Sequence, residues 1–186
     1  MIFKNITTVE QKLQLEALKW RNYIDIRKHM YTDSIISEQE HLTWINSLIT
    51  NKSKKVYIAY KNKEAIGAVS ISNIDKLHKK ANWAFFLNPK FLNAKGLGAL
   101  MEYHFLNFVF NNFDIEKLNC EVLETNPSVI KLHKKFGFIE EGIRRKNIIK
   151  DNKRINVYLL GILKEEWDQK ESKFTKIIKR LENENR

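Results

Sequence analysis

The spacing of apolar residues changes repeatedly along the chain, and each change marks a boundary between a strand and a helix. Short apolar runs, several of them alternating with polar residues, predict strands over residues 2–6, 56–60, 65–74, 80–87, 118–123, 138–149 and 155–163. Apolar residues that recur every three to four positions predict helices over residues 9–20, 37–49, 96–111 and 128–135, and one more after Trp167. The order β-α-α-β-β-β-α-β-α-β-β predicts a mixed central sheet with helices packed against it.

Local signals set some of the boundaries. Ser37-Glu-Gln-Glu40 is a capping box, which predicts that a helix begins there. Its apolar face is predicted to comprise Leu42, Ile45, Leu48 and Ile49. Lys61-Asn-Lys63 and Lys150-Asp-Asn-Lys153 are turn sequences, and each predicts a hairpin. The helix after Trp167 is predicted to have one apolar side, made of Trp167, Phe174, Ile178 and Leu181.

Length and composition are those of a soluble globular domain. The chain has 186 residues, of which 43% are hydrophobic and 30% are charged. No apolar run approaches the roughly 20 residues of a membrane-spanning helix, and the start resembles no signal peptide, so we expect a cytoplasmic protein that does not bind membranes. Cys120 is the only cysteine, which excludes an internal disulfide and a thiolate zinc site. We expect it to be a buried strand residue, and we expect no metal.

The positive charge is concentrated in one part of the chain. The net charge is +11, and residues 131–154 hold nine Lys or Arg against three acids. Such a stretch attracts a polyanion, such as coenzyme A or a nucleotide sugar, although it is also compatible with an ordinary solvated surface. No compact stripe of interleaved basic and aromatic residues stands out, so we expect a small-molecule ligand rather than a nucleic acid.

Two motifs, in a fixed order with a strand between them, carry most of the functional signal. Asn93-Ala-Lys-Gly-Leu-Gly98 opens an apolar helix, where unpaired backbone amides attract phosphate. Asn126-Pro-Ser-Val-Ile-Lys-Leu-His-Lys-Lys-Phe-Gly-Phe138 is a short helix that stops at a glycine. Together they resemble the Gcn5-related N-acetyltransferases (GNAT). That resemblance implies an α/β (α+β) fold with a mixed, mostly antiparallel sheet of six or seven strands, covering residues 1–165. Residues 166–186 would then form a helical appendage.

The resemblance also implies that acetyl-coenzyme A (acetyl-CoA) is the co-substrate and suggests which residues bind it. Asn93 stands where family members usually carry Gln or Arg, which changes one pyrophosphate contact, but the two glycines remain. Two strands that splay apart would form the slot for the pantetheine arm. The expected cofactor-binding residues are Phe85, Phe86, Leu87, Asn93, Ala94, Lys95, Gly96, Leu97, Gly98, Ala99, Asn126, Ser128 and Lys135.

Acetyl transfer to an amine needs a base for the amine, donors for the oxyanion and an acid for the leaving thiolate. Many family members use a tyrosine of the second motif as the acid, and His133 stands at that position. An imidazole can do the same work near neutral pH. Glu121 is our first candidate for the base and Glu124 the second, and a water chain is a further alternative.

Segments of the N-terminal third narrow the family further. They are Trp20-Arg-Asn22, Arg27, Met30-Tyr-Thr-Asp33 and Glu40-His-Leu-Thr-Trp44. With Asn119–Leu123, Val129–Phe138 and Glu140-Glu-Gly142, they resemble the pseudaminic acid biosynthesis N-acetyltransferases. The resemblance implies acetylation of the 4-amino group of UDP-4-amino-4,6-dideoxy-N-acetyl-β-L-altrosamine, on a route to sugars that decorate flagellin. The expected substrate-binding residues are Arg21, Met30, Tyr31, His41, Ser70, Ser72 and Asn73, of which Arg21 would clamp phosphate and His41 could bind it as a donor.

Other interpretations remain open at this point. Arg21 is also compatible with an ion pair at a helix end, His41 and Tyr31 with surface positions, and Met30 and Trp44 with the core. A polyamine or ribosomal-protein N-acetyltransferase would have the same fold, and a nucleic-acid or effector-binding module would lack catalysis. The aromatic strand 83–86 and the C-terminal helix are both candidate interfaces, which favours a homodimer.

Overall fold

The computed structural model describes residues 1–184, which form one seven-stranded sheet. The strands are β1 (Ile2–Asn5), β2 (Lys55–Lys61), β3 (Glu64–Asp75), β4 (Lys80–Leu87), β5 (Lys117–Leu123), β6 (Ile139–Lys150) and β7 (Lys153–Leu163). Their order across the sheet is β1-β2-β3-β4-β5-β7-β6. Only β4 and β5 are parallel among these neighbours, so the prediction of a mixed, mostly antiparallel sheet is confirmed.

Helices cover both faces of this sheet. They are α1 (Gln11–Asn22), α2 (Ile24–Arg27), α3 (Glu38–Thr50), α4 (Leu97–Asn112), α5 (Pro127–Phe136) and α6 (Lys164–Glu184). Short 3-10 turns at Ile6–Thr8 and Pro89–Phe91 follow β1 and β4. Across the described residues, none of the helices has the length and apolar character needed to cross a bilayer.

The local signals in the sequence act as predicted. The Ser37 hydroxyl accepts a hydrogen bond from the Glu40 backbone N–H, and the Glu40 carboxylate accepts one from the Ser37 backbone N–H. Both turn residues of the β6–β7 hairpin, Asp151 and Asn152, have left-handed φ values of 48° and 59°, as the two-residue turn requires. Gly137 ends α5 with a φ of 103°.

Two hydrophobic layers lie on opposite faces of the sheet. The larger one joins α4, α5 and α6 to the strands, and the smaller one joins α1 and α3 to β2 and β3. Cys120 is buried in the larger layer, as predicted. Trp83 is only 2% exposed, so the prediction of strand 83–86 as an interface is wrong at that residue. Ile49 is 64% exposed, so its assignment to the apolar face of α3 is also wrong.

The last helix, α6, packs against the outer surface of α4 and α5. Trp167 and Ile178 are almost fully buried, and Phe174 lies against Phe136 of α5. The indole N–H of Trp167 donates to the Asn107 side-chain oxygen at 2.8 Å. The predicted apolar side of this helix therefore faces the core. Residues 185–186 of the predicted appendage lie outside the described residues.

The parallel pair β4–β5 separates soon after it begins. Its register covers only Lys80↔Lys117, Ala81↔Leu118 and Asn82↔Asn119. Beyond these pairs β4 continues to Leu87 and β5 continues to Leu123, without a ladder joining them. The predicted split between these strands is thus present.

Candidate active site

The start of α4 lies beside the split and presents backbone donors. Gly96 is the N-cap residue, with a left-handed φ of 77°. The first regular helical bond runs from Leu100 N–H to Gly96 carbonyl at 2.9 Å, which leaves the N–H groups of Gly98 and Ala99 without a carbonyl one turn before them. A Cβ on Gly96 would meet Leu181 of α6 at 2.5 Å, so this position requires glycine for its conformation and for its surroundings.

The other residues expected to bind cofactor lie on β4, on the loop before α4 and on α5. Phe85, Phe86 and Leu87 form the end of β4 that pairs with β3 but not with β5. Asn126 and Ser128 begin α5, where the Ser128 hydroxyl donates to the Asn126 amide oxygen at 3.1 Å. The remaining ones, Asn93, Ala94, Lys95, Leu97 and Lys135, lie on the loop before α4, at its first residue and on the exposed side of α5.

His133 of α5 is buried, with only 3% of its surface exposed. Its Nδ1 lies 2.8 Å from Oε1 of Glu102, a fully buried residue of α4. The ring centroid is 5.2 Å from that of Trp83 and 6.1 Å from that of Phe85. Because the β4–β5 ladder ends at Asn82, these two rings belong to the first residues of β4 beyond the split. His133 therefore lies at the base of the split, on the α4 and α5 side.

Glu121 lies on β5 on the opposite face of the sheet. Its carboxylate accepts a hydrogen bond from the Tyr31 hydroxyl and pairs with Arg144 at 2.8 Å. Burial, and then the contact with Glu121, raise the pKa of Tyr31 to about 12. Glu124 instead receives the backbone and side-chain N–H groups of Asn156 at 2.8 and 2.9 Å. Both candidate bases thus already have hydrogen-bond partners. One of the partners of Glu121 is Tyr31, a predicted substrate-binding residue.

A cavity of about 450 Å³ opens on this same face, between the sheet and helices α1 and α3. Its floor includes Ala84, Phe85 and Phe86, so the cavity reaches the part of β4 that lies beyond its pairing with β5. Its full lining comprises Ile6, Ala17, Arg21, Met30, Ile36, Glu40, His41, Trp44, Lys54, Val56, Ala68, Val69, Ser70, Ala84, Phe85 and Phe86. The volume suits a small organic ligand.

Arg21 lines this cavity, and only part of the hydrogen-bonding capacity of its guanidinium is satisfied. Its Nη2 donates to the Thr32 carbonyl at 3.0 Å, whereas Nη1 is buried without a hydrogen-bond partner among the described residues. Burial, and then the nearby charge of Arg27, lower the pKa of Arg21. A buried donor without a partner is costly, so an anion that accepts from Nη1 would gain more than one bound at the surface.

His41 lines the cavity, and its contact with a backbone carbonyl limits the hydrogen bonds that it can make to a ligand. Its Nε2 lies 2.9 Å from the Gln14 carbonyl, and burial is the main cause that lowers its pKa. A neutral ring that donates from Nε2 keeps Nδ1 as an acceptor. His41 is thus suited to accept from a sugar hydroxyl, whereas the sequence suggested a donor to phosphate.

A comparison with known protein families shows which family this chain matches. The family model described as an acetyltransferase (GNAT) domain matches residues 7–139. The chain belongs to the GNAT acetyltransferase family. As a GNAT protein, it is an N-acetyltransferase that takes its acetyl group from acetyl-CoA, and the split strands, the Gly96 loop and the cavity are parts of a GNAT fold.

Relatives and solved structures agree with this assignment. Acetyltransferase PseH of Campylobacter jejuni (strain 81-176) is 29% identical over 136 residues, which span 73% of this chain and 82% of the relative. The structure of spermidine N-acetyltransferase from Vibrio cholerae, in complex with CoA and spermine, has a TM-score of 0.82 at 19% identity over 89% of this chain and 96% of that chain. Campylobacter jejuni PseH in complex with acetyl coenzyme A has a TM-score of 0.66 at 20% identity over 88% and 98% of the two chains. These two structural likenesses show the shared fold.

Within this GNAT chain the cavity brings together four of the seven expected substrate residues, namely Arg21, Met30, His41 and Ser70. Tyr31 lies apart, on Glu121, and Ser72 and Asn73 lie further along β3 than the cavity lining. Trp44 and Met30, which the sequence also allowed as core residues, are half-buried and line the cavity.

Sequence reasoning missed some residues of the site. Lys54 adds a second cation to the cavity and precedes β2, where the spacing of apolar residues carries no signal for it. Glu102 is the partner of His133 and was not singled out. The chain does contain a signal for it, because Glu102 is the single acidic residue of the apolar helix α4.

Proposed function

We propose that this enzyme moves the acetyl group of acetyl-CoA to the 4-amino group of UDP-4-amino-4,6-dideoxy-N-acetyl-β-L-altrosamine, as a step in pseudaminic acid biosynthesis. The observation that carries the proposal is the buried Nη1 of Arg21, which has no described partner and lies in a cavity that reaches the split strands. The N–H groups of Nη1 would donate to an anionic group of the ligand. The amine of the same ligand would then face β4.

The cofactor would enter from the opposite side of the sheet. We place its pyrophosphate on the N–H groups at the start of α4, where Gly96 and Gly98 allow close approach. Its pantetheine arm would lie in the split between β4 and β5, against the backbone of residues 85–87 and the amide of Asn126. The acetyl group would thus arrive at the inner end of the acceptor cavity.

The reaction is direct attack of a neutral amine on the thioester in a ternary complex. Glu121, or water near it, would take the proton that the amine loses, and backbone N–H groups of β4 would stabilise the oxyanion. His133 would donate a proton to the leaving thiolate, since it lies at the base of the split. These roles match the three requirements of the chemistry.

The charges of the cavity favour an anionic acceptor over a polyamine. Arg21 and Lys54 are cations, and Glu40 is the single acid in the lining, where it also serves the Ser37 capping box. A polyamine needs several carboxylates in its pocket. The likeness to the Vibrio cholerae enzyme, at 19% sequence identity, supports the common fold, whereas the sequence match to PseH extends over 73% of this chain at 29% identity.

The test is thiol release from acetyl-CoA by the purified protein with four acceptors. These are the UDP-4-amino-altro sugar, its gluco epimer, spermidine and a peptide that begins with alanine or serine. We expect fast release with the altro sugar and at least tenfold slower release with the other three. Fast release with spermidine or with the peptide would reject the proposed acceptor and leave the GNAT assignment unaffected.

A further inference from the structure

A carboxylate lies at the centre of the aromatic layer beside the split. Glu102 of α4 has no exposed surface. Its Oε1 lies 2.8 Å from Nδ1 of His133, and its Oε2 is buried with no hydrogen-bond partner among residues 1–184. A half-satisfied buried carboxylate is expensive, and an apolar residue of similar size would fit such a layer better. The pair therefore calls for a reason other than stability.

We propose that Glu102 is a positioning residue that fixes the ring of His133 and keeps a transferable proton on the His133–Glu102 pair for the leaving thiolate. This inference rests on the proposed role of His133 as the acid. With Nδ1 bonded to Glu102, the other ring nitrogen, Nε2, lies on the side of the ring away from the carboxylate. The rings of Trp83 and Phe85 hold the imidazole from the direction of the split strand.

The Glu102 carboxylate counteracts the effect that burial has on the charge of a neighbouring imidazole. An imidazole enclosed by aromatic rings tends to lose its proton, because burial disfavours the charged ring. With Glu102 beside it, the protonated pair has no net charge, and loss of the proton would leave a net negative charge in the same apolar surroundings. Burial raises the pKa of Glu102, while the contact with His133 acts against this shift.

The groups that face the pair do not compete for the proton. From β5 the neighbour is Cys120, whose pKa is raised well above its usual value by burial and then by the charges of Glu102, Glu121 and Glu141. It therefore stays a thiol. β4 contributes the rings of Trp83 and Phe85, and the segment after α5 contributes Phe138. Glu171 of α6 lies against the outer side of α4, and its carboxylate is hydrogen-bonded to Tyr103 rather than to this pair.

The proton balance of the step is complete with this assignment. The acceptor nitrogen forms a bond to the acetyl carbon, the carbon–sulfur bond breaks, and its electron pair stays on sulfur. Nε2 of His133 gives its proton to that sulfur, while Nδ1–H stays bonded to Glu102. The proton lost by the new amide nitrogen passes to Glu121 or water. Solvent then returns one proton to the pair after coenzyme A leaves.

The test compares Glu102→Gln with Glu171→Gln in the full chain. Glutamine keeps the size and a hydrogen-bond acceptor at position 102 but removes the charge. We expect kcat to fall about 10²-fold in Glu102→Gln, with the KM for acetyl-CoA changed less than twofold. The loss should grow as pH rises from 6 to 8. Glu171→Gln removes a carboxylate that bonds the same helix and should keep wild-type kcat at every pH.

A second measurement does not depend on the choice of acceptor or on activity lost through misfolding. Nitrogen-15 NMR of the His133 ring in the apo protein should show two protonated nitrogens at pH 7 in the wild type and one in Glu102→Gln. An unchanged kcat–pH profile in Glu102→Gln, or the same ring state in both proteins, would overturn the proposal. The activity assays use whichever acceptor of the four-compound panel turns over, so an error about the acceptor sugar would be visible in that panel and would leave the NMR result intact.

Discussion

The two sides of the split strands differ in almost every physical respect. On the α4 and α5 side the split is lined by aromatic rings, and the hydrogen-bonded pair of His133 and Glu102 is buried among them. On the α1 and α3 side lies an open cavity with Arg21 and Lys54 in its wall. A closed apolar layer suits proton transfer and thioester chemistry, whereas a charged open cavity suits recognition of a polar ligand.

This difference separates the kinetic effects expected of the two sides. Changes on the closed side should lower kcat and leave acceptor affinity unchanged, because they alter the transition state for acetyl transfer. Changes in the cavity should raise the KM for the acceptor, because they alter ground-state binding. Variants on each side test whether the effects on kcat and on the acceptor KM are separate.

The largest effect is expected for His133→Phe. Phenylalanine fills the aromatic layer but has no proton for the thiolate, so kcat should fall about 10²-fold or more. The Kd of acetyl-CoA, measured by titration calorimetry, should stay within about twofold. An unchanged kcat would remove His133 from the chemistry and leave it as a packing residue.

The next effect is expected for Arg21→Ala on the other side. Loss of a charged hydrogen bond of about 1.5–3 kcal/mol should raise the acceptor KM about 10-fold to 100-fold, while kcat changes little. Arg27→Ala is the matched control, because Arg27 donates to the Asp33 carbonyl and is absent from the cavity lining. Equal effects of the two variants on steady-state KM would contradict the separation.

A smaller effect is expected at the turn that opens α4. Gly96→Ala places a Cβ against Leu181 in a left-handed conformation, so it should lower the free energy of unfolding by about 1–2 kcal/mol. Gly98→Ala is the control for stability, since its Cβ would meet Leu132 and Phe85 at ordinary contact distances of 3.7 and 3.8 Å. Urea unfolding of both apo variants measures the difference, and equal stabilities would show that the Gly96 geometry carries no constraint.

The smallest effect concerns pH and His41. Burial lowers the pKa of His41 in the folded protein, so its contribution to stability is present above the unfolded value of about 6.5 and is lost as pH falls below it. Burial lowers the pKa of His29 and His104 as well, so the wild type should lose stability as pH falls below about 6.5. His41→Gln keeps a donor for the Gln14 carbonyl and should weaken this dependence by up to about 1.4 kcal/mol per pH unit. Identical pH curves of unfolding would show that His41 titrates normally.

The sequence predicted the elements well, because their signals are local. The capping box at Ser37, the two hairpin turns and the glycine that ends α5 each act within a few residues. The family resemblance added the β4–β5 split, which periodicity alone does not reveal. Helix α2 was not predicted, since four residues are too few for a period to be recognised.

The side-chain partners of the site were harder to predict, because they join distant parts of the chain. His133 and Glu102 are 31 positions apart, and Tyr31 and Glu121 are 90 apart. The acceptor role of His41 depends on the Gln14 carbonyl, for which no sequence pattern exists. Motif spacing singled out residues on both sides of the split, while tertiary packing decided the hydrogen-bond partners of each group.

The most direct test of the two-sided account is a calorimetric titration of UDP into the protein, with and without saturating coenzyme A. UDP carries the anionic part of the proposed acceptor and lacks the amine. The account predicts that UDP binds with the same Kd whether or not coenzyme A is present, and that Arg21→Ala weakens it 10-fold or more. Displacement of UDP by coenzyme A, or equal UDP affinity in Arg21→Ala and wild type, would contradict the assignment of the nucleotide to the cavity.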